Sequence, residues 1–145
     1  MTEPRNIHLL NRLLAMECRS FSIYLTDASP WTPPAGSEAD EVLANIVADQ
    51  QRMAARIAEF VDRRGGVLDT GEFPMEFTDS HFLAFDFLVG ELLRYQKQEI
   101  ADIEQIVAAL AEDPEARELA EETLGSERAH LEALESLAGN LQAAT

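Results

Sequence analysis

Apolar residues recur every three to four positions along four long stretches of the chain, and each stretch is bounded by residues that start or stop a helix. That spacing is the period of an α-helix, so the chain reads as all-α. The first stretch covers about residues 6–27, with Leu10, Leu13, Leu14, Phe21, Tyr24 and Leu25 on its stripe. Residues 28–36 hold three of the six prolines and break it. Ser37, with Asp40 at the third helical position, starts the second stretch, residues 37–64, on which Leu43, Ile46, Val47, Met53, Ile57, Phe60 and Val61 share a side. Gly65-Gly66 ends it. The third stretch, residues 79–111, is capped by Asp79 or Ser80 and carries Phe82, Phe85, Val89, Leu92, Leu93, Ile100, Ile103, Val107 and Leu110. Asp113 followed by Pro114 is a strong start signal for the last stretch, residues 114–140.

Linker length predicts how these helices meet. The first and last connections are short, which makes helices one and two, and three and four, antiparallel neighbours. Residues 65–78 are long enough to travel the length of a helix. One domain over residues 1–145 follows: a four-helix bundle of two antiparallel hairpins joined by one long crossover.

Charge narrows the partners. Lys and Arg number 11 against 27 Asp and Glu, a net charge of −16. Such a surface repels phosphate and anionic lipid, so neither nucleic acid nor a membrane is an expected partner. No apolar run approaches the roughly 18–20 residues that span a bilayer. The first ten residues lack the order of a signal peptide, and Cys18 alone forms no internal disulfide; both point to the cytoplasm.

The informative positions interrupt the stripes. Helical spacing turns Glu17 inward on helix one, and Gln50 with Met53 inward on helix two. On helix three Gln96 lies on the core stripe, with Glu99 on its margin; on helix four Glu127 and His130 face in. Buried polar groups are costly unless they satisfy one another or bind something. A hydrogen-bonded polar layer is one solution. A metal site is the other, because inward carboxylates with a Glu-x-x-His pair are what a carboxylate-bridged centre needs, and Glu127 to His130 is such a pair.

Residues 12–25 (RLLAMECRSFSIYL), 49–57 (DQQRMAARI) and 126–134 (SERAHLEAL) resemble the first, second and fourth helices of the ferritin-like superfamily, with bacterioferritin and rubrerythrin-type bundles nearest in pattern. The resemblance spans about residues 6–140 and implies a di-iron centre with six ligands. Glu17, Glu127 and His130 match those ligands. The second-helix Glu and His fall on Gln50 and Met53, and the third-helix Glu falls on Gln96 by stripe position, with Glu99 and Glu91 as alternatives. The haem-ligating methionine of bacterioferritins falls on Gln51, so haem is not implied.

Charge counting then weighs against two metals. Four carboxylates neutralise two divalent cations, whereas Glu17 and Glu127 alone would leave two positive charges in the core. A thioether at Met53 is a poor ligand for iron(II), manganese or zinc. The sequence therefore predicts a ferritin-like bundle with a degenerate site, no cofactor, no ferroxidase activity and a structural or binding role. The alternative is a metal-binding oxidase or iron-handling protein holding one divalent metal or two irons. A homodimer or higher homo-oligomer is expected. Cys18 is read as an inert, partly buried thiol, and His8 and His81 as helix-start residues without a catalytic part. The aromatic cluster from Phe73 to Phe87 and Met75 are read as packing of the crossover, and Trp31 as a cap on the open end of the bundle.

Overall fold

The computed structural model describes residues 2–27, 33–82 and 85–143. Trp31 lies outside these residues, as do the side chains of His81, Phe82 and Phe85. Five α-helices are seen among them: α1 (Thr2–Cys18), α2 (Phe21–Asp27), α3 (Glu38–Arg63), α4 (Phe85–Ala109) and α5 (Pro114–Ala143). A 3-10 helix, Met75–Phe82, lies in the crossover. The α1–α2 arm packs on α3, α4 packs on α5, and the crossover joins the two hairpins.

Two boundaries differ from the sequence expectation. The first helix is broken, because the Ser20 hydroxyl accepts from the Ile23 amide at 3.1 Å and so caps a new helix, α2. The third helix begins at Phe85, not at residue 79; Asp79 and Ser80 lie in the 3-10 helix that precedes it. That segment is held by Phe77, a buried ring packed against Phe21, Tyr24 and Tyr95 at centroid distances of 5.0, 5.4 and 4.8 Å. Met75 is a correction: it is 88% exposed and packs little of the crossover. Phe87 is also mainly exposed. Ser37 caps α3 as expected, accepting from the Asp40 amide at 3.2 Å.

Upstream of the 3-10 helix, the crossover is strapped to α1. The Asn11 amide donates to the Val67 carbonyl at 2.9 Å and accepts from the Asp69 amide at 3.0 Å. Further along, Arg19 Nε donates to the Gly71 carbonyl at 3.1 Å. Gly71 adopts φ +65°, and a Cβ there would sit 3.0 Å from Ala15, so both backbone conformation and close approach favour glycine. At the far end of the bundle Asp113 ties three elements together. It caps α5, receives Asn6 at 3.0 Å and pairs with Arg64 at 2.9 Å. The Arg64 hydrogen bond is the main cause that lowers the Asp113 carboxyl to about 2.

The interior divides into two apolar clusters. One takes Leu10, Leu13 and Leu14 from α1 with Ile57, Ile103 and Leu119. The other gathers Phe21, Tyr24, Leu43, Leu88 and Leu134 around Phe77. On each of the long helices α3, α4 and α5, polar residues lie between the contributions to the two clusters, and Glu17 with Ser20 does the same where α1 gives way to α2. The functional question is confined to that layer.

Candidate functional site

Glu17 lies in the last turn of α1, Gln50 in the middle of α3, Gln96 and Glu99 in the middle of α4, and Glu127 with His130 in the middle of α5. Glu17, Gln50 and Glu127 are completely shielded from solvent. Glu127 is the hub. The Gln50 side-chain amide donates to its carboxylate at 3.1 Å, and the Gln96 amide donates to its backbone carbonyl at 2.8 Å. His130 Nδ1 meets Glu127 Oε1 in a short contact, as the i, i+3 spacing on α5 allows.

The network continues in both directions. Gln50 Oε1 accepts from the Ser20 hydroxyl at 2.6 Å. His130 Nε2 lies 3.0 Å from Asp49 Oδ2, and Asp49 in turn pairs with the exposed Arg52. One unbroken run of contacts therefore leads from the surface, through Asp49, His130, Glu127 and Gln50, to Ser20 at the helix break. Both ring nitrogens of His130 are engaged by carboxylates. A ring that donates from both is an imidazolium; a neutral ring can fill the same places only if one carboxyl carries the proton.

Glu17 and Glu99 complete the site without joining that run. Both oxygens of Glu17 and Oε2 of Glu99 are buried without a hydrogen-bond partner. Burial, above all, pushes both carboxyls well above the ordinary range, and the adjacent Glu127 raises both further. Glu17 also sits at the carbonyl end of α1, where the helix dipole disfavours negative charge. The neutral acid is the form this pocket favours, and a protonated carboxyl can donate to Glu127.

On helix three, Gln96 and Glu99 both reach this layer, and they do different things there. Gln96 is buried but spends its amide on the α5 backbone, whereas Glu99 brings its carboxyl to Glu17 and Glu127. Glu91 is remote in function, paired with Arg94 at 2.6 Å on the surface. Three buried carboxyls meet here, one more than the sequence expectation counted. Met53 packs in the apolar cluster with Ile57 and Leu10. Asp49 and Ser20 were not singled out from the sequence. Asp49 lies on the helix margin, and the Ser20 contact depends on a bend that helical spacing does not reveal. Cys18 is half-buried, and burial raises its thiol, which leaves little thiolate for chemistry.

A family model described as a ferritin-like domain matches residues 7–144. The chain belongs to the ferritin-like family. None of the curated proteins compared with it matches. Among solved structures, a protein from Xanthomonas campestris pv. campestris superposes with a TM-score of 0.73 at 20% identity, covering 99% of this chain and 94% of that one. That likeness shows the fold of the ferritin-like domain.

The fold family implies a di-metal centre, and the donor set decides whether these residues fit one. Orphaned oxygens on Glu17 and Glu99 are what a cation site offers. The other donors are committed elsewhere. Gln50 turns its NH2 group, not its oxygen, to Glu127; His130 has neither ring nitrogen free; Met53 stands in apolar packing. Glu17, Glu99 and Glu127 would leave one positive charge of two divalent cations without compensation in the core. Among the described residues, no three His, Cys, Asp or Glu side chains stand in an arrangement that could hold a metal ion. These residues do not fit a pair of metal ions.

Proposed function

We propose that this ferritin-like domain has lost di-iron ferroxidase chemistry and serves a structural or binding role, as a cytoplasmic homo-oligomer, a dimer in its simplest form. The observation that carries the reading is on α3. Its two ligand positions hold Gln50, whose amide donates to Glu127, and Met53, whose thioether lies in an apolar cluster. Reduction of dioxygen or peroxide by a pair of irons draws one electron from each, so a centre that cannot hold the second iron lacks that route. The test is to load the protein anaerobically with Fe(II), admit oxygen and follow Fe(III) formation. Oxidation at the rate of buffer alone is the expected result. Oxidation faster than buffer, with two irons bound per chain, overturns the proposal.

One observation favours a second reading, in which a single divalent cation draws Glu17, Glu99 and Glu127 together into a ligand set that they do not form without it. The three orphaned oxygens of Glu17 and Glu99 supply it. Three carboxylates and one divalent ion leave a net charge of one negative unit, which His130 as an imidazolium would offset. Calorimetric titration with Mn(II) or Zn(II) separates the two readings: one saturable equivalent per chain supports the cation, and no heat of binding supports the metal-free domain.

A further inference from the structure

We infer that the run Asp49–His130–Glu127–Gln50–Ser20 does the mechanical work that a metal centre does in such a bundle, locking α3, α5 and the α1–α2 break in one register through protein groups alone. The inference rests on the metal-free reading above. Its physical basis is the position of the layer. A metal centre in such a bundle draws ligands from facing helices and so fixes their axial offsets. Here the same offsets are fixed by hydrogen bonds that cross helix boundaries: Ser20 to Gln50 at 2.6 Å, Gln50 to Glu127 at 3.1 Å and His130 to Asp49 at 3.0 Å. Apolar burial on either side of the layer is non-directional, whereas hydrogen bonds at these lengths fix the distance and angle between particular atoms.

The histidine is central to the substitution. His130 is buried between the fully buried Glu127 and the half-exposed Asp49, one carboxylate at each ring nitrogen. The ring in that place meets two carboxyl groups, as a metal ion would, but it is covalently part of α5. Asp49 is then a positioning residue: it orients the ring from α3 and closes the α3–α5 contact that Gln50 opens one residue later. Hydrogen bonds within a shared, low-dielectric network support one another, so removal of one member should spoil the next.

The experiment is a double-mutant cycle on the full chain in EDTA, with Asp49→Asn, His130→Gln, the double variant and Arg52→Ala as control. Thermal midpoints are the readout. Each of the first two substitutions is expected to lower the midpoint by roughly 5 °C, and the double variant by little more than the larger single effect. Arg52→Ala should leave it unchanged, since the exposed Arg52 pair contributes little. Silent single variants, or effects that add, overturn the inference. If His130→Gln fails to fold, Asp49→Asn decides alone: an unchanged midpoint at this half-exposed position overturns the lock, and a lowered one supports it. A second arm, run without EDTA, adds one equivalent of Zn(II) or Mn(II) to the wild-type chain; an unchanged midpoint is expected, and a rise of several degrees overturns the lock. The proposed loss of ferroxidase chemistry has its own readout in Fe(II) oxidation, so silent variants combined with iron inertness would remove the lock and leave that proposal standing.

Discussion

Replacing Glu17 by glutamine should stabilise the metal-free protein, and the gain should grow with pH. Glu17 is wholly buried, and its carboxyl can bond Glu127 only while it keeps its proton. Holding that proton above the ordinary range costs stability, about 1.4 kcal/mol for each pH unit over which only the unfolded chain releases it. Glutamine keeps the shape and one acceptor while placing two N–H donors beside the Glu127 carboxylate. A net gain of about 1–2 kcal/mol at neutral pH follows, which for a domain of this size raises the thermal midpoint by about 3–8 °C. The pH dependence carries a sign. The folded-state carboxyl titrates well above its ordinary value of 4.5, burial being the main cause. Below that ordinary value both folded and unfolded chains hold the proton and pH changes nothing. Above it the unfolded chain releases the proton and the folded chain keeps it, so wild-type stability falls as pH rises, until the folded carboxyl itself ionises. The glutamine variant lacks this slope. Urea denaturation in EDTA at about pH 5 and about pH 8 should therefore show a larger gap between variant and wild type at the higher pH. A folded variant no more stable than wild type at either pH refutes the reasoning. It would mean that the pocket is built for an ionised carboxylate and for the cation that goes with it.

Three other perturbations bear on separate parts of the account. Gln50→Glu with Met53→His restores the α3 donors, and because Glu99 already supplies the α4 carboxyl, Gln96 can stay; calorimetry should then show two equivalents of divalent metal per chain, and zero or one would contradict the register. Asp113→Ala removes the α5 cap together with the Arg64 and Asn6 contacts, and should cost about 1–2 kcal/mol by urea denaturation. The Asp113 carboxyl is lowered to about 2, so its contribution is complete above its ordinary value of 3.8 and fades as pH falls through about 2. Gly66→Ala should destabilise the chain by about 1–3 kcal/mol, because the new Cβ would meet Ile7 Cγ2 at 2.8 Å and Val61 Cγ1 at 2.9 Å; a thermal midpoint equal to wild type would show that these side chains yield freely.

Much of the architecture was legible because long amphipathic helices advertise themselves. The stripes on α3, α4 and α5, the Ser37 cap and the Asp113-Pro114 start all reappear, as does the division into two hairpins. What escaped the pattern was decided by contacts between distant segments. Ser20 breaks the first helix because its hydroxyl bonds Gln50 and caps α2, and nothing in the local spacing distinguishes it from a helical serine. Phe77 draws residues 75–82 into a 3-10 helix by filling an aromatic pocket built from α2 and α4.

The site was legible in depth but not in every member. Glu17, Gln50, Glu127 and His130 share one layer as their stripes require. Gln96 and Glu99, three residues apart on α4, both reach that layer, and periodicity favours the one on the stripe. The carboxyl in fact arrives from the margin, because the glutamate stem is long enough to carry Glu99 inward while its backbone stays near the surface. Asp49 escaped for a related reason: a half-exposed aspartate has no signature until the ring of His130 is seen beside it.

Under the proposed function, protein groups rather than metal ions fill the middle of this bundle. Elemental analysis of the protein, expressed in iron- and manganese-supplied medium and purified without chelator, tests it most directly. Well under one divalent metal ion per chain and a thermal midpoint unmoved by EDTA are expected. Two ions per chain, lost on chelation together with several degrees of thermal stability, would contradict it.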